Sequence, residues 1–236
     1  MTERDMTDCA RATDSITVLM RSYFSTHHLY AARYAAESAQ SLETSLAGQS
    51  VFDLRHRTLV ISAICESAFF LEAAINEIFQ DAKDEHHSYI GGLDGSLLSA
   101  MAAVWDATNN GYLEVLKKYD LALRLAGHES FDPGTKILTN ARLLVQLRNY
   151  LVHYRPEFVG NDLTHRLGKS LEASNRFAEN ELMKGSGNPW FPDRALGAGC
   201  ADWAWRSARA LTDEFARRMQ LTLNYQAADY GDPLPQ

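Results

Sequence analysis

A chain of 236 residues, with 46% hydrophobic and 22% charged side chains, is long enough to bury a sizeable core and has an ordinary globular composition. Its formal net charge of −7 argues against a surface made broadly for nucleic acid. Cys9, Cys65 and Cys200 are far apart, which implies neither a disulfide framework nor a zinc ribbon; Cys65 and Cys200, in apolar runs, read as buried thiols. No apolar run approaches the roughly 20 residues needed to span a bilayer. Met1 to Asp14 has no apolar stretch of the signal-peptide kind, so the expectation is a cytoplasmic protein with no membrane partner.

Helical periodicity runs through most of the chain. Ile16, Met20, Tyr23, Phe24, Tyr30 and Tyr34 keep the spacing of one helix face, which predicts a helix over about residues 12–46. Gly48 breaks it, and Ser50 or Asp53 is placed to cap the next helix. That second helix carries the stripe Ile61, Ile64, Ala68, Leu71, Ile75 and Ile78. Glu72 and Asn76 sit at the margin of this buried face, where polar groups need partners: either another helix or a ligand. Asp84-Glu85-His86-His87 is contiguous, so few of its side chains can converge on one ion, and it reads as a solvated helix end.

Gly91-Gly92 and Gly95 mark a loop, and residues 97–125 resume helical spacing with a break at Asn109-Asn110-Gly111. Thr135 can cap a helix that begins near Lys136 and buries Ile137, Leu138, Ala141, Leu144, Val145 and Leu151. Arg155 precedes Pro156, which ends that helix and puts His153 in its last turn. Residues 156–198 are polar and rich in Gly and Pro, with room for a short helix over 162–183 and a loop in which Trp190 and Phe191 pack back on the body. A last helix is expected over 197–226, burying Cys200, Trp203, Ala204, Leu211, Phe215 and Met219. The expected fold is all-α: one domain over 1–236, a four- to five-helix up-and-down bundle with an irregular insertion before the last helix, and frayed tails at 1–10 and 229–236.

No glycine-rich phosphate loop, metal-ligand spacing or nucleophile elbow is present in the sequence, so neither metal nor cofactor is expected. Charge is uneven: residues 1–135 carry a balance of −9, whereas 136–169 carry +4. This basic island holds Arg142, Arg148, Arg155 and Arg166, and it contains Arg148-Asn149-Tyr150-Leu151-Val152-His153. On a helix Asn149 and His153 share a face, while Arg148 lies about 140° from His153 and reaches it only by swinging its long side chain. A guanidinium, an amide and an imidazole together suit phosphodiester cleavage without metal. The imidazole moves protons, and the guanidinium holds phosphate oxygens as charge grows. Arg-x4-His alone is expected by chance roughly 0.6 times in such a chain, and the adjacent Asn lowers that to about 0.02, so the amide carries the information. The bland alternative has Arg148 paired with an acid and His153 capping the last carbonyls.

The motif, on the penultimate long helix, resembles the HEPN superfamily signature of Arg, a polar residue and, after four to six intervening positions, His. Residues 50–160 resemble it more loosely, through Glu-Ser-Ala-Phe-Phe-Leu-Glu-Ala-Ala-Ile-Asn and a motif helix ending His-Tyr-Arg-Pro. The resemblance implies a helical bundle that dimerises, so that two motifs meet in a cleft and cut RNA without metal. It implies Arg148 as the phosphate ligand, His153 as acid/base and Asn149 as the supporting polar residue. Tyr154, Arg155, Arg142, Glu72 and Asn76 are candidates for weaker substrate contacts. Some toxin members carry a tyrosine two positions after the histidine, modified by an antitoxin partner; here that position is Arg155, and Tyr154 follows the histidine directly. The expected function is a metal-independent endoribonuclease, in stress or phage defence. The alternative is a non-catalytic module that binds a protein or ligand.

Overall fold

The computed structural model describes residues 20–108, 112–158, 160, 165–173 and 176–228. Among them the chain is all-α: α1 (Ser25–Ser45), α2 (Leu54–Lys83), α3 (Gly95–Ala107), α4 (Val115–Leu125), α5 (Lys136–Val152), α6 (Arg166–Glu172), α7 (Ala198–Met219) and α8 (Asn224–Ala227). The expected tails at 1–10 and 229–236, Cys9, Ile16, Asp162 and the break at Asn109–Gly111 lie outside the described residues.

α2 is the central helix. Asp53 starts it by accepting a hydrogen bond from the His56 N–H at 2.9 Å. Its apolar face, including Ile64, Leu71, Ile75 and Ile78, has no exposed surface and meets α1, α7 and α5, while α3 and α4 cover its later turns. α7 packs beside it through Cys200, Ala204, Ala208, Leu211 and Phe215. One apolar cluster runs from Leu29 on α1 to Tyr225 on α8. By composition α2 is long and apolar enough to cross a membrane, with a mean hydropathy of 1.7 over its most apolar window, although it holds no unbroken apolar run of that length. Glu66 and Glu72 interrupt its apolar run, so a count of unbroken runs passes over it. Half of that window is buried within the fold.

The first helix departs from its expected limits. It begins at Ser25, because the Glu77 carboxylate of α2 takes both the Ser25 N–H (2.7 Å) and its hydroxyl (2.6 Å). Just before it, Arg21 bonds Asp84 and ion-pairs with Asp81, and Tyr23 donates to Asp81 at 3.0 Å. These contacts hold Met20–Phe24 across the end of α2 and out of a helix. The buried face also differs: Met20, Phe24, Tyr30 and Tyr34 are exposed, and Leu29, Ala32, Ala35, Ala36 and Ala39 face the core. Small side chains there let α1 lie close against α2.

Near the other end of α1, Glu43 is buried and ties four segments together. One carboxylate oxygen accepts from His56 Nε2 of α2 and from the Ala198 N–H at the start of α7, both at 2.8 Å. The other accepts from the Glu181 N–H at 2.8 Å, in a 3-10 turn (Glu181–Met183). The last helix also ends sooner than expected. Gln220 takes a left-handed conformation (φ 54°), and Leu221, Leu223 and Tyr225 then turn inward. Tyr225 packs edge-on against Phe70 at 4.9 Å and donates to Asp213 at 2.7 Å, so burial of these three side chains explains the break.

Candidate functional site

The motif helix α5 starts at Thr135, whose hydroxyl accepts from the Leu138 N–H at 3.4 Å, and packs on α2 and α7 through Leu144 and Leu147. Its length fixes where the motif falls. Val152 is the last helical residue, and His153 is the C-cap, with its N–H bonded to the Asn149 carbonyl at 2.9 Å. The His153 side chain is exposed and has no hydrogen bond or ion pair among the described residues. Asn149, one turn earlier, is also exposed.

Arg148 points another way. Its guanidinium approaches Glu72 of α2, with Nη2 3.8 Å from a carboxylate oxygen, and its side chain is only 19% exposed. Nε is buried without a hydrogen-bond partner. Glu72 and Asn76, candidates for substrate contact by sequence, converge instead on Lys118 of α4, whose ammonium donates to them at 2.9 and 2.8 Å. Lys118 is 4% exposed at its side chain and lies over Trp105, 5.7 Å from the ring centre. Sequence reasoning missed this lysine. The signal was its position: Val115, Lys118, Tyr119 and Ala122 share the buried face of α4. The structure therefore joins Arg148, Glu72, Asn76 and Lys118 between α2, α4 and α5. It does not join Arg148 to His153 within one chain. Beside this cluster, burial raises the Cys65 thiol pKa, and the Arg148 charge opposes the shift.

Asn149 and Arg142 lie on a different side of α5. With Gln146 and Tyr150 they form one wall of an open cleft of about 910 Å³, whose other wall carries His165, Arg166, Ser170 and Arg176. α6 is held against α5 by rings. His165 stacks on Phe191 at 4.7 Å, and Tyr150 meets both, at 5.0 and 5.1 Å. A Cβ on Gly168 would stand 2.7 Å from Phe191 Cβ, so glycine is what allows this approach. Tyr150 donates to Glu157 at 3.0 Å; burial first, and this carboxylate second, push its phenol upward. Among the described residues no Asp or Glu lines the cleft, and Glu157, 3.5 Å from His165 Nε2, stands beside it. Tyr154 and Arg155 follow the motif in the exposed segment; the Tyr154 ring stands edge-on to Tyr150 at 5.6 Å. Sequence reasoning placed Arg166 in the basic island but missed Arg176 and His165, because the loop that returns them to α5 has no periodicity to read.

No group of three or more metal-ligating side chains is found among the described residues. No family model, no curated protein and no solved structure matches this chain.

Proposed function

We propose that this chain is a metal-independent endoribonuclease of the HEPN type, an up-and-down helical bundle that works in the cytosol as a symmetric homodimer. RNA is the substrate and His153 the acid/base. It takes the proton of the 2′-hydroxyl, whose oxygen attacks phosphorus; the P–O5′ bond breaks as the imidazolium gives a proton to the departing O5′, leaving a 2′,3′-cyclic phosphate and a 5′-hydroxyl. Asn149 holds the substrate beside it. Arg148 binds the phosphate after turning from Glu72.

The observation that carries this reading is the placement of His153. An exposed imidazole with no partner among the described residues stands one helical turn from Asn149, which lines a cleft that also carries Arg142, Arg166 and Arg176. Arg148 adds support. A largely buried guanidinium with an unbonded Nε and only a 3.8 Å ion contact is poorly satisfied for a structural residue. The test is RNA degradation by the purified protein in EDTA, with end-group analysis. Wild-type protein should give 2′,3′-cyclic phosphate ends, and His153→Ala and Arg148→Ala should each remove the activity while remaining folded.

A second reading has its own observation. Arg148 faces α2 in the cluster with Lys118, away from the cleft, as a residue of purely structural use would. The chain is then a non-catalytic module that binds a partner protein or ligand. It would not cleave RNA, and Arg148→Ala would lower its stability.

A further inference from the structure

The arginines of this acidic chain divide sharply. Every described arginine outside residues 142–176 has a carboxylate oxygen within 4.0 Å. Within that segment Arg148 reaches Glu72 only at 3.8 Å, and Arg142, Arg155, Arg166 and Arg176 have no carboxylate partner among the described residues. Three of those four, Arg142, Arg166 and Arg176, line one cleft between α5 and α6. With 30 acidic residues in the chain, this clustering of unpaired guanidiniums is not what a randomly solvated surface gives.

Arg176 is the most telling. Its Nε donates to Asn140 Oδ1 at 3.0 Å and its Nη1 to the Ser170 carbonyl at 3.1 Å. The group is partly buried, and burial lowers its pKa with no carboxylate partner among the described residues to offset the loss of water. A guanidinium fixed by neutral oxygens, with Nη2 unbonded among the described residues, is arranged to receive an anion. Arg142 contributes from the facing wall, where its Nη1 only brushes the Pro133 carbonyl at 3.5 Å. Asn149, Gln146, Thr139 and Ser170 add neutral donors. A volume of about 910 Å³ is far larger than one phosphate ion requires and falls within the range of pockets for extended ligands.

We propose that the α5–α6 cleft is a binding site for a ligand carrying two or more phosphate groups, held by Arg142, Arg166 and Arg176. This site is separate from the Arg148 cluster and shares Asn149 with the proposed nuclease site, but its occupancy does not depend on cleavage at His153. Two sources share the chemistry: the backbone of a single strand, or a free oligophosphate.

The test uses the full chain at low salt with three probes: a short fluorescent 2′-O-methyl single strand, which cannot form a cyclic phosphate, together with ATP and inorganic tripolyphosphate as competitors. Neither Arg142 nor Arg166 makes an ion pair among the described residues, so Arg142→Gln/Arg166→Gln should keep the wild-type melting temperature. It should weaken the preferred probe by at least about tenfold, while Arg206→Gln/Arg209→Gln, which removes equal charge on α7, changes it less than about threefold. The preferred probe identifies the source. All three probes are read by binding alone, so a failure of the nuclease reading leaves this result readable. The proposal is overturned if wild-type protein binds none of the three probes, or if the two double variants lose affinity equally.

Discussion

Replacing Glu43 by alanine removes the acceptor for three donors at once: His56 Nε2, the Glu181 N–H and the Ala198 N–H, each at 2.8 Å. The side chain is about 5% exposed, so water cannot readily take its place. Hydrogen bonds to a charged group are worth about 1.5–3 kcal/mol, and each buried donor left unmade costs about 1–3 kcal/mol. Some relaxation of the Glu181 turn offsets part of the loss. We therefore expect Glu43→Ala to lower the unfolding free energy by about 4 kcal/mol, close to the upper end for single substitutions. Glu43→Gln keeps one oxygen, which can serve His56 and Ala198, but points an amide donor at the Glu181 N–H; it should cost about 2–3 kcal/mol. For a chain of this size that corresponds to a fall in Tm of about 5–10 °C. Urea unfolding followed by far-ultraviolet circular dichroism measures both. A loss below about 1 kcal/mol for Glu43→Ala would refute the view that this carboxylate clamps α1, α2 and α7 together.

Other outcomes follow from the same contacts. Burial tends to raise the Glu43 carboxyl pKa, but the hydrogen bonds from His56, Glu181 and Ala198 outweigh it and hold the group below its ordinary value. Its contribution is thus fully present above the unfolded pKa of about 4.3 and is lost as pH falls through the lower folded value, so the stability gap between wild type and Glu43→Gln should close in acid. Lys118→Ala should cost about 2–3 kcal/mol, whereas Lys118→Met should stay within about 1 kcal/mol, because a buried ammonium is costly to desolvate; equal losses by chemical denaturation would contradict the burial of this charge. Gly168→Ala should push α6 away from Phe191, lowering Tm and, on the cleft proposal, phosphate-probe affinity with it. Unchanged binding and Tm together would show that the contact does not shape the cleft.

The helices were legible wherever one apolar face met a capping residue. α2 reads directly from its stripe and Asp53, and α5 from Thr135 and its leucines. α1 was misplaced for a physical reason: its buried face is alanine, which carries little hydrophobic signal, and its start is set by Glu77 from another helix. The end of α7 depends on three side chains turning inward after Gln220, a tertiary effect that periodicity cannot show. The candidate site was half legible. The spacing of Asn149 and His153 gave their shared helical neighbourhood. The direction of Arg148 could not be read, since Glu72 and Lys118 come to it from distant helices. The α5–α6 cleft was hidden for the same reason: Arg142 and Arg176 are brought together by the rings of Tyr150, His165 and Phe191 and by the bond from Arg176 to Asn140, all tertiary contacts.

Incubation of the purified chain with RNA in EDTA tests the central claim most directly, with His153→Ala alongside and both proteins shown to be folded. The account predicts wild-type cleavage that leaves 2′,3′-cyclic phosphate ends and none from the variant. Cleavage that persists in His153→Ala, or its absence from wild-type protein shown to be dimeric, would contradict it.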